Sequence, residues 1–390
     1  MIRFVKLLFY CTLALYGFGQ LGRIHLPDQP IYFYAYELGM AIMTIVLMIQ
    51  YKTAPLKNYS IKHPIILFFV WMEVTLFISY MSYTQYENII AFLYAFRLIA
   101  YGVFFGYFVY YVKLTNLKLF FPITITIIWF FLSSFLQYIL YPNIGNIAYL
   151  GWDPHVFRVV GVFLDPPIAA GIFFLSGWFL AEQLFQKKIQ KRALSVLLLT
   201  GILIILTYSR GAILALFGVM VLYGLVQKKY LGTVLSVVTI VVLVLLIPKA
   251  HTESINLLRT TSITARITDY SKGIEIWRKN PIFGIGYNHI RFEKEKYIDE
   301  VFVEDYNPSH GIASFHSSFL NVLATGGVVG LSLFVYLILF FARRNQFTLI
   351  CIGFLSILSL FDNVFLHPFI IFFLCVLFIA DIQSSRAYRT

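Results

Sequence analysis

The sequence predicts an all-α polytopic membrane protein of about 12 transmembrane helices, with one long external loop between spans 9 and 10. The first observation is composition: 60% of the 390 residues are hydrophobic and 12% are charged, whereas an ordinary soluble domain is about 45–50% apolar. The second is that the polar residues cluster between apolar runs of membrane-spanning length. The third is that these runs lack the alternation of barrel strands, so their backbone hydrogen bonds must be closed within helices.

Apolar runs between polar breaks predict the individual spans. The first begins with Arg3 and Lys6, as a signal peptide does, but another apolar segment follows directly and we interpret it as an uncleaved span. We expect one membrane domain, 1–390, that carries a long periplasmic or extracellular loop at 249–315. The predicted spans are 4–21, 31–51, 64–83, 88–112, 119–140, 167–186, 193–208, 211–227, 230–248, 316–342, 346–362 and 368–382.

The distribution of Lys and Arg predicts the orientation of these spans. With a cytoplasmic N-terminus, the short outside loops hold only Arg23, Arg158 and Arg210, and the inside segments hold the other short-loop cations. This agrees with the excess of positive charge in cytoplasmic loops. Both termini are therefore predicted to be cytoplasmic, and the loop 249–315 to lie outside.

The long loop is predicted to contain amphipathic helices. In the segment 264–279, Arg266, Tyr270, Gly273 and Trp277 recur at three- and four-residue steps, so they share one helical face. An equally favoured interpretation is an interfacial helix that Trp277 anchors to the membrane.

Two further segments lead out of the loop. Pro281, Gly284 and Gly286 predict a tight re-entry rather than a phosphate loop, because no strand precedes them. The charged stretch 291–305 is predicted to be a solvated lid helix. After these segments comes His316.

His316 lies where the loop meets the next span, at the predicted membrane surface. A histidine there can titrate near neutral pH and act as a general base, or it can fill a polar interface position. His310 does not complete a metal pair with it, because the spacing puts the two on different helical faces and suitable ligands are lacking.

Outward-facing arginines indicate an anion site beside this base. Arg158 and Arg210 oppose the charge bias of the short loops, and Arg266 lies in the long loop. Arginine forks bind phosphate oxygens in a bidentate manner, and a lipid phosphate or diphosphate is the anion expected at a membrane surface. Snorkelling of the side chain to the interface is the alternative.

Five motifs follow one another over roughly 155–345: Arg158/Gly161/Phe163/Pro166, Ser209-Arg210-Gly211-Ala212, Arg266 with Trp277, Asn280-Pro281/Gly284/Gly286, and His316 with Leu320, Gly326, Gly327 and Gly330. In this order they resemble the bacterial O-antigen ligase and O-antigen polymerase superfamily. Ser317 departs from the pattern, since the family usually has Asn after the histidine.

The resemblance implies a metal-independent, cofactor-free inverting glycosyltransferase. The donor would be an undecaprenyl-diphosphate-linked oligosaccharide, and the acceptor a sugar hydroxyl. His316 would be the catalytic base. Arg210, Arg266 and Arg158 would bind the donor diphosphate, and Trp277, Tyr270 and Ser317 would be substrate contacts.

The resemblance also implies a location and partners. The chain would lie in the bacterial inner membrane, within the lipid bilayer, with its active site on the outer face. It would polymerise O-antigen or capsule repeat units, with a chain-length regulator protein as a candidate partner and no nucleic acid. Ligation to lipid A-core is the first alternative, and protein O-glycosylation is not separated from these by the motifs.

A transporter or flippase is the more distant alternative. It would use Glu37, Glu73 and Arg97, which lie inside predicted spans; we interpret them as a buried polar cluster. Transporter folds usually repeat their halves, and this sequence shows no such similarity. A passive scaffold would leave the outer arginines and His316 without a purpose.

Overall fold

A computed structural model describes residues 2–26, 29–57, 62–145, 155–246, 261–296 and 313–387. A short antiparallel hairpin, β1 Arg23–His25 with β2 Tyr32–Tyr34, pairs Ile24 with Phe33. In chain order the helices are α1 Ile2–Tyr16, α2 Ala35–Tyr51, α3 Ala54–Lys57, α4 Lys62–Ser79, α5 Gln85–Thr115, α6 Phe120–Leu140, α7 Pro166–Gln186, α8 Gln190–Leu206, α9 Arg210–Gln227, α10 Tyr230–Leu246, α11 Thr261–Lys279, α12 Ile290–Glu295, α13 Ser318–Ala342, α14 Gln346–Leu358 and α15 Pro368–Ala387.

The prediction of a helical fold is confirmed, and every predicted apolar segment coincides with a helix. Within the described ranges, 6 helical segments are long and apolar enough to cross a membrane, and shorter apolar helices accompany them. The count of twelve spans stays a prediction. The long segments are His63–Ser82, Gln85–Thr115, Phe120–Leu140, Pro166–Gln186, Arg210–Gln227 and Ser318–Ala342.

Capping residues set several of the helix boundaries. Thr84 and Glu87 form a reciprocal capping box at the start of α5, and the side chain of Asp165 accepts from the Ile168 N–H ahead of Pro166 in α7. Asn116 ends α5 in the left-handed conformation. These contacts satisfy the backbone groups that a helix end leaves unpaired.

The described chain divides into two compact units, and the first contains 1–122, 264–340 and 375–390. In it, α1 packs on α2, and α5 packs on both α2 and α4. The rings of Tyr16 and Tyr36 meet edge to face at 5.0 Å, and Gly39 lies against Thr12 so closely that a Cβ would overlap the Thr12 hydroxyl. Small residues of this kind allow membrane helices to approach closely.

A buried ion pair joins α2 to α5 in this unit. The Arg97 Nε and Nη2 atoms donate to the two carboxylate oxygens of Glu37, at 2.7 and 2.9 Å. The hydroxyl of Tyr101 also donates to Glu37, and the Tyr34 N–H donates to it at 2.8 Å. The Glu37 carboxylate is therefore fully engaged by Arg97 and neighbouring groups. Glu73 is not part of these contacts and lines an apolar groove with Phe92 and Phe96 of α5, among others.

Helix α13 is interrupted at Gly327, whose φ of 66° and ψ of −168° are not helical. The re-entrant segment 280–288 fills this break: the Ile285 and Gly286 N–H groups donate to the carbonyls of Ala324 and Thr325, at 2.9 and 3.0 Å. The predicted tight re-entry thus inserts its backbone against a membrane-length helix. Irregular backbone is tolerated at such depth when its polar groups are satisfied by protein.

The interruption is supported from both sides. The Val328 N–H donates to the Pro281 carbonyl at 2.9 Å, and the Trp71 indole donates to the Gly326 carbonyl at 2.8 Å. A Cβ on Gly327 would overlap the Ile282 carbonyl, and one on Gly284 would overlap the Thr325 backbone. Glycine is therefore required at Gly284 and Gly327, because the two backbones are in close contact there.

The second unit contains 123–263 and 341–374. Within it α7 packs along α8, and α14 packs on α7 and α9. Most of α7 is buried. The rings of Phe174 and Phe354 stack at 3.9 Å, and Gly177 faces Thr200 without room for a Cβ. Close glycine contacts and stacked aromatic rings hold this unit together.

Candidate active site

His316 and Asp269 form the centre of a polar site in the first unit. The Asp269 Oδ2 atom accepts from the His316 backbone N–H at 2.8 Å and lies 2.9 Å from the His316 Nδ1 atom. The His316 side chain is 44% exposed, whereas Asp269 is 11% exposed. Because Nδ1 faces a carboxylate, its proton is held there, and Nε2 is the ring nitrogen that can accept a proton.

Lys294 binds the other oxygen of the same carboxylate. Its Nζ atom lies 2.6 Å from Asp269 Oδ1 and donates to the Ser314 carbonyl at 2.7 Å. The ammonium also lies 4.3 Å from the centre of the Phe315 ring. Only 6% of this lysine is exposed, so it is a buried cation whose charge is balanced by Asp269.

Burial and pairing together set the ionisation of this pair. Burial alone would raise the pKa of Asp269, but its hydrogen bonds to His316 and the charge of Lys294 hold the pKa of that carboxyl below its usual value. Burial lowers the pKa of the Lys294 ammonium, while Asp269 opposes the decrease. The carboxylate is therefore ionised at neutral pH and can stabilise an imidazolium.

Backbone contacts fix the segment that carries His316. The Tyr270 hydroxyl donates to the His316 carbonyl at 2.9 Å. The Asn321 amide donates to the carbonyls of Phe315 and Ser317, at 2.9 and 2.8 Å, and its oxygen accepts from the Phe315 N–H at 2.7 Å. These hydrogen bonds fix the backbone on either side of the His316 side chain.

An apolar cluster packs beneath these polar contacts. Its members come from α11, the re-entrant segment, α12 and the start of α13, and Tyr270 packs against it. Gly273 allows α11 to approach, since a Cβ there would lie 2.6 Å from Leu320. The buried members are Ile276, Ile285, Ile290, Phe315, Leu320 and Ala324.

The other predicted residues of this unit lie along the same helix and at the start of α13. Arg266 is half-buried and precedes Asp269 by three positions, which places it one turn away on the same face of α11. The Trp277 indole donates to the Pro281 carbonyl at 3.1 Å, beyond the site along the helix. Ser317 is buried, and its hydroxyl accepts from the Leu320 N–H at 3.3 Å, so it caps α13.

Arg158 and Arg210 belong to the second unit. Arg158 is buried, and its Nε donates to the Thr207 carbonyl at 2.8 Å. Arg210 is the first residue of α9, where the Ser209 hydroxyl accepts from the Ala212 N–H at 3.4 Å. The hydrogen bond from Arg158 therefore stabilises the turn at Thr207, which precedes Arg210.

The stretch 291–305 was predicted to be a solvated lid, and this is wrong for its first residues. Phe292, Glu293 and Lys294 are buried in α12, because Lys294 pairs with Asp269, and Glu293 pairs with Lys279 and Lys296. Residues 297–312, including His310, lie outside the described residues.

Asp269 and Lys294 are functional candidates that sequence reasoning missed. Asp269 lies among the residues of the predicted helical face, and a predicted histidine base calls for a carboxylate partner, so that signal was present. Lys294 carried no signal, since a lysine in a charged stretch is normally solvated. In the described ranges no group of three or more His, Cys, Asp or Glu is placed to hold a metal ion; metal independence stays a prediction.

Comparison with known families gives a match to part of the chain. Residues 194–335 match the family model described as O-Antigen ligase. This match supports the resemblance of the chain to the O-antigen ligase and polymerase superfamily. No curated protein matches the chain significantly.

The O-antigen ligase match covers the residues of the polar site and Arg210, but not Arg158. The family match and the apolar helices together indicate a multi-pass membrane protein. The family match also supports a glycan-transfer function. The resemblance predicted over roughly 155–345 is thereby confirmed for residues 194–335.

Proposed function

We propose that this protein is an inverting glycosyltransferase that uses a polyprenyl-diphosphate-linked glycan, with undecaprenyl diphosphate as the carrier. The observation that carries the proposal is the pairing of His316 with Asp269. It supplies an oriented base in a chain whose family transfers glycans.

The proposed reaction is a direct displacement at the anomeric carbon of the donor. The acceptor hydroxyl oxygen bonds to that carbon as the bond from carbon to the diphosphate oxygen breaks. The hydroxyl proton passes to the Nε2 atom of His316, and the electron pair of the broken bond leaves with the diphosphate. Asp269 stabilises the resulting imidazolium, as a carboxylate does beside a histidine base.

Arginines are proposed to bind the donor diphosphate. Arg266 is supported by its place one turn from Asp269 on α11. Arg210 keeps the diphosphate-binding role that the motifs predict. Arg158, for which the motifs predict the same role, would assist by fixing the Thr207 carbonyl ahead of Arg210. Guanidinium groups suit this role because they stabilise charge that develops on the leaving oxygens.

Substrate contacts are proposed for Tyr270, Trp277 and Ser317, as the motifs predict. The hydroxyls of Tyr270 and Ser317 and the indole of Trp277 each have a hydrogen bond within the protein. Tyr270 and Trp277 would contribute the faces of their rings to substrate binding, and Ser317 would hold the start of α13 in place.

Orientation and location complete the proposal. Twelve spans are proposed from the apolar runs, and cytoplasmic termini with an outer-face active site from the distribution of Lys and Arg. The bacterial inner membrane is proposed from the family resemblance. The proposed reaction uses no metal or cofactor, because the arginines would stabilise the charge on the leaving diphosphate. It needs no paired carboxylates, because the diphosphate can leave without protonation.

The acceptor separates two candidate functions. We favour a polymerase of O-antigen or capsule repeat units, for which the acceptor is a sugar of a second lipid-linked glycan and a chain-length regulator is a candidate partner. The alternative is a ligase that transfers the glycan to lipid A-core, and the matched family model is described as O-Antigen ligase. A transporter would move the glycan without forming a bond.

One assay distinguishes these functions. The chain is purified into lipid vesicles with a lipid-linked glycan, and products are separated by mass. Lengthened lipid-linked glycan is expected; transfer only when lipid A-core is added would indicate the ligase, and movement without transfer would contradict the proposal.

The arginine roles need a second measurement. Arg266→Ala and Arg210→Ala are expected to weaken donor affinity, whereas Arg278→Ala, an exposed position on the same helix α11, should leave it unchanged. Unchanged donor affinity in the Arg266 and Arg210 variants would indicate structural roles.

A further inference from the structure

We infer that Lys294 is a positioning residue of the histidine base, which it controls through Asp269. The inference rests on the proposed function in one respect, namely that His316 accepts the proton of the acceptor. Its physical core, a charge that governs the titration of His316, can be measured without any substrate.

The geometry gives Lys294 a task that a solvated lysine could not perform. Its Nζ atom is fixed by two hydrogen bonds, to Asp269 Oδ1 at 2.6 Å and to the Ser314 carbonyl at 2.7 Å. The second bond holds the chain two residues before His316. One buried cation therefore fixes both the carboxylate and the segment that carries the imidazole.

The two carboxylate oxygens are divided between the two partners. Lys294 takes Oδ1, and the backbone N–H and Nδ1 of His316 take Oδ2. With both oxygens engaged, the carboxylate cannot rotate without losing contacts. The Nδ1 proton of His316 is then kept on the Asp269 side, and the tautomer with a basic Nε2 is maintained.

Charge balance gives the inference a measurable consequence. Asp269 and Lys272 of α11 are the charged groups that act on the Lys294 ammonium, and Asp269 is the carboxylate that contacts His316. Lys294 neutralises part of the field that Asp269 exerts on the imidazole. Without this cation the carboxylate would stabilise the imidazolium more strongly, and His316 would hold its proton to higher pH.

A matched control lies directly after the same short helix, at its C-cap. Lys296 is 53% exposed, and its Nζ contacts Glu293 at 2.6 Å rather than Asp269. Replacing it removes the same charge from the same part of the chain without touching the carboxylate that holds His316. A general effect of net charge would therefore be equal in the two lysine variants.

The experiment is an NMR titration of ¹⁵N-histidine-labelled protein in lipid nanodiscs, with His316→Ala used to assign the His316 resonances among the 8 histidines. Lys294→Met is expected to raise the pKa of His316 by about one unit and Asp269→Asn to lower it. Lys296→Met should leave it unchanged. Lys294→Gln serves as a second neutral variant if the methionine variant does not fold.

Transfer rates measured over the same pH range separate this inference from the proposed function. In Lys294→Met the acid limb of kcat is expected to move to higher pH with the His316 pKa, at little change in KM. Equal His316 pKa values in the wild type and both neutral Lys294 variants would overturn the inference. A shifted pKa together with full activity of His316→Ala would instead overturn the role of His316 as base and leave the contact intact.

Discussion

Asp269 holds His316 at two points with a single oxygen, since Oδ2 accepts from the His316 backbone N–H at 2.8 Å and lies 2.9 Å from Nδ1. One contact fixes the backbone and the other fixes the ring. The pair lies between the long-loop helix α11 and the start of α13, where sequence motifs of the family converge. An imidazole oriented in this way is prepared for proton transfer before substrate arrives.

Asp269→Asn is expected to reduce kcat by on the order of 100-fold at little change in KM, because the amide can present an N–H to Nδ1 and favour the wrong tautomer. Steady-state transfer by the purified chain in vesicles measures both constants. Glu275→Gln, an exposed carboxylate on the same helix, is the control. A rate close to that of the wild type would show that Asp269 does not orient the base.

Gly327→Ala is expected to destabilise the protein severely. An L-residue at φ 66° and ψ −168° carries about 1–3 kcal/mol of backbone strain, and its Cβ would also overlap the Ile282 carbonyl. Gly106→Ala in α5 has open space and should be tolerated or slightly stabilising. Thermal unfolding in detergent compares the two, and equal melting temperatures would contradict the need for glycine at the break.

Arg97→Met is expected to cost about 3–5 kcal/mol, because it leaves the Glu37 carboxylate buried without its cation. Glu37→Gln combined with Arg97→Met should recover part of this loss, since glutamine can still accept from the Tyr34 N–H. Transfer per folded molecule should be unchanged in the double variant. If the double variant folds but loses function entirely, the pair has a chemical role, as the transporter alternative requires.

His289 is expected to make stability dependent on pH. Its ring is fully buried and stacks on Tyr83 at 3.8 Å, and burial lowers its pKa to about 4. The unfolded chain therefore binds the proton first, so stability contributed by the neutral ring is complete above about pH 6.5 and falls as the pH decreases towards 4. Melting temperatures of the wild type and His289→Phe should diverge over this window; parallel curves would contradict it.

The lengths of the hydrophobic runs were sufficient to predict the apolar helices, because every apolar segment that could span a bilayer had to close its own backbone hydrogen bonds. It could not predict the interruption at Gly327, since a helix and an interrupted helix have the same composition. The break depends on carbonyls that segment 280–288 satisfies from a distance in sequence. The glycines were identified, but their role as contact points between backbones requires the fold.

The polar site likewise contains residues that the sequence predicted and residues that it did not. His316, Arg266 and Tyr270 were predicted from spacing and resemblance, and the structure brings His316 and Tyr270 into contact. Asp269 shares their helix, yet its partner lies 47 positions away in the chain. Lys294 was predicted to be solvated, because sequence spacing does not reveal that a carboxylate of another helix is close enough to bury a lysine with it.

The claim that His316 is the catalytic base is tested most directly by removing its imidazole and then supplying free imidazole. His316→Ala is expected to lower glycan transfer by on the order of 100- to 10,000-fold, with normal folding, and added imidazole should restore part of the rate, increasingly as the pH rises through the pKa of free imidazole. His25→Ala, at an exposed position, should behave like the wild type. Full transfer activity in His316→Ala without added imidazole would contradict the account.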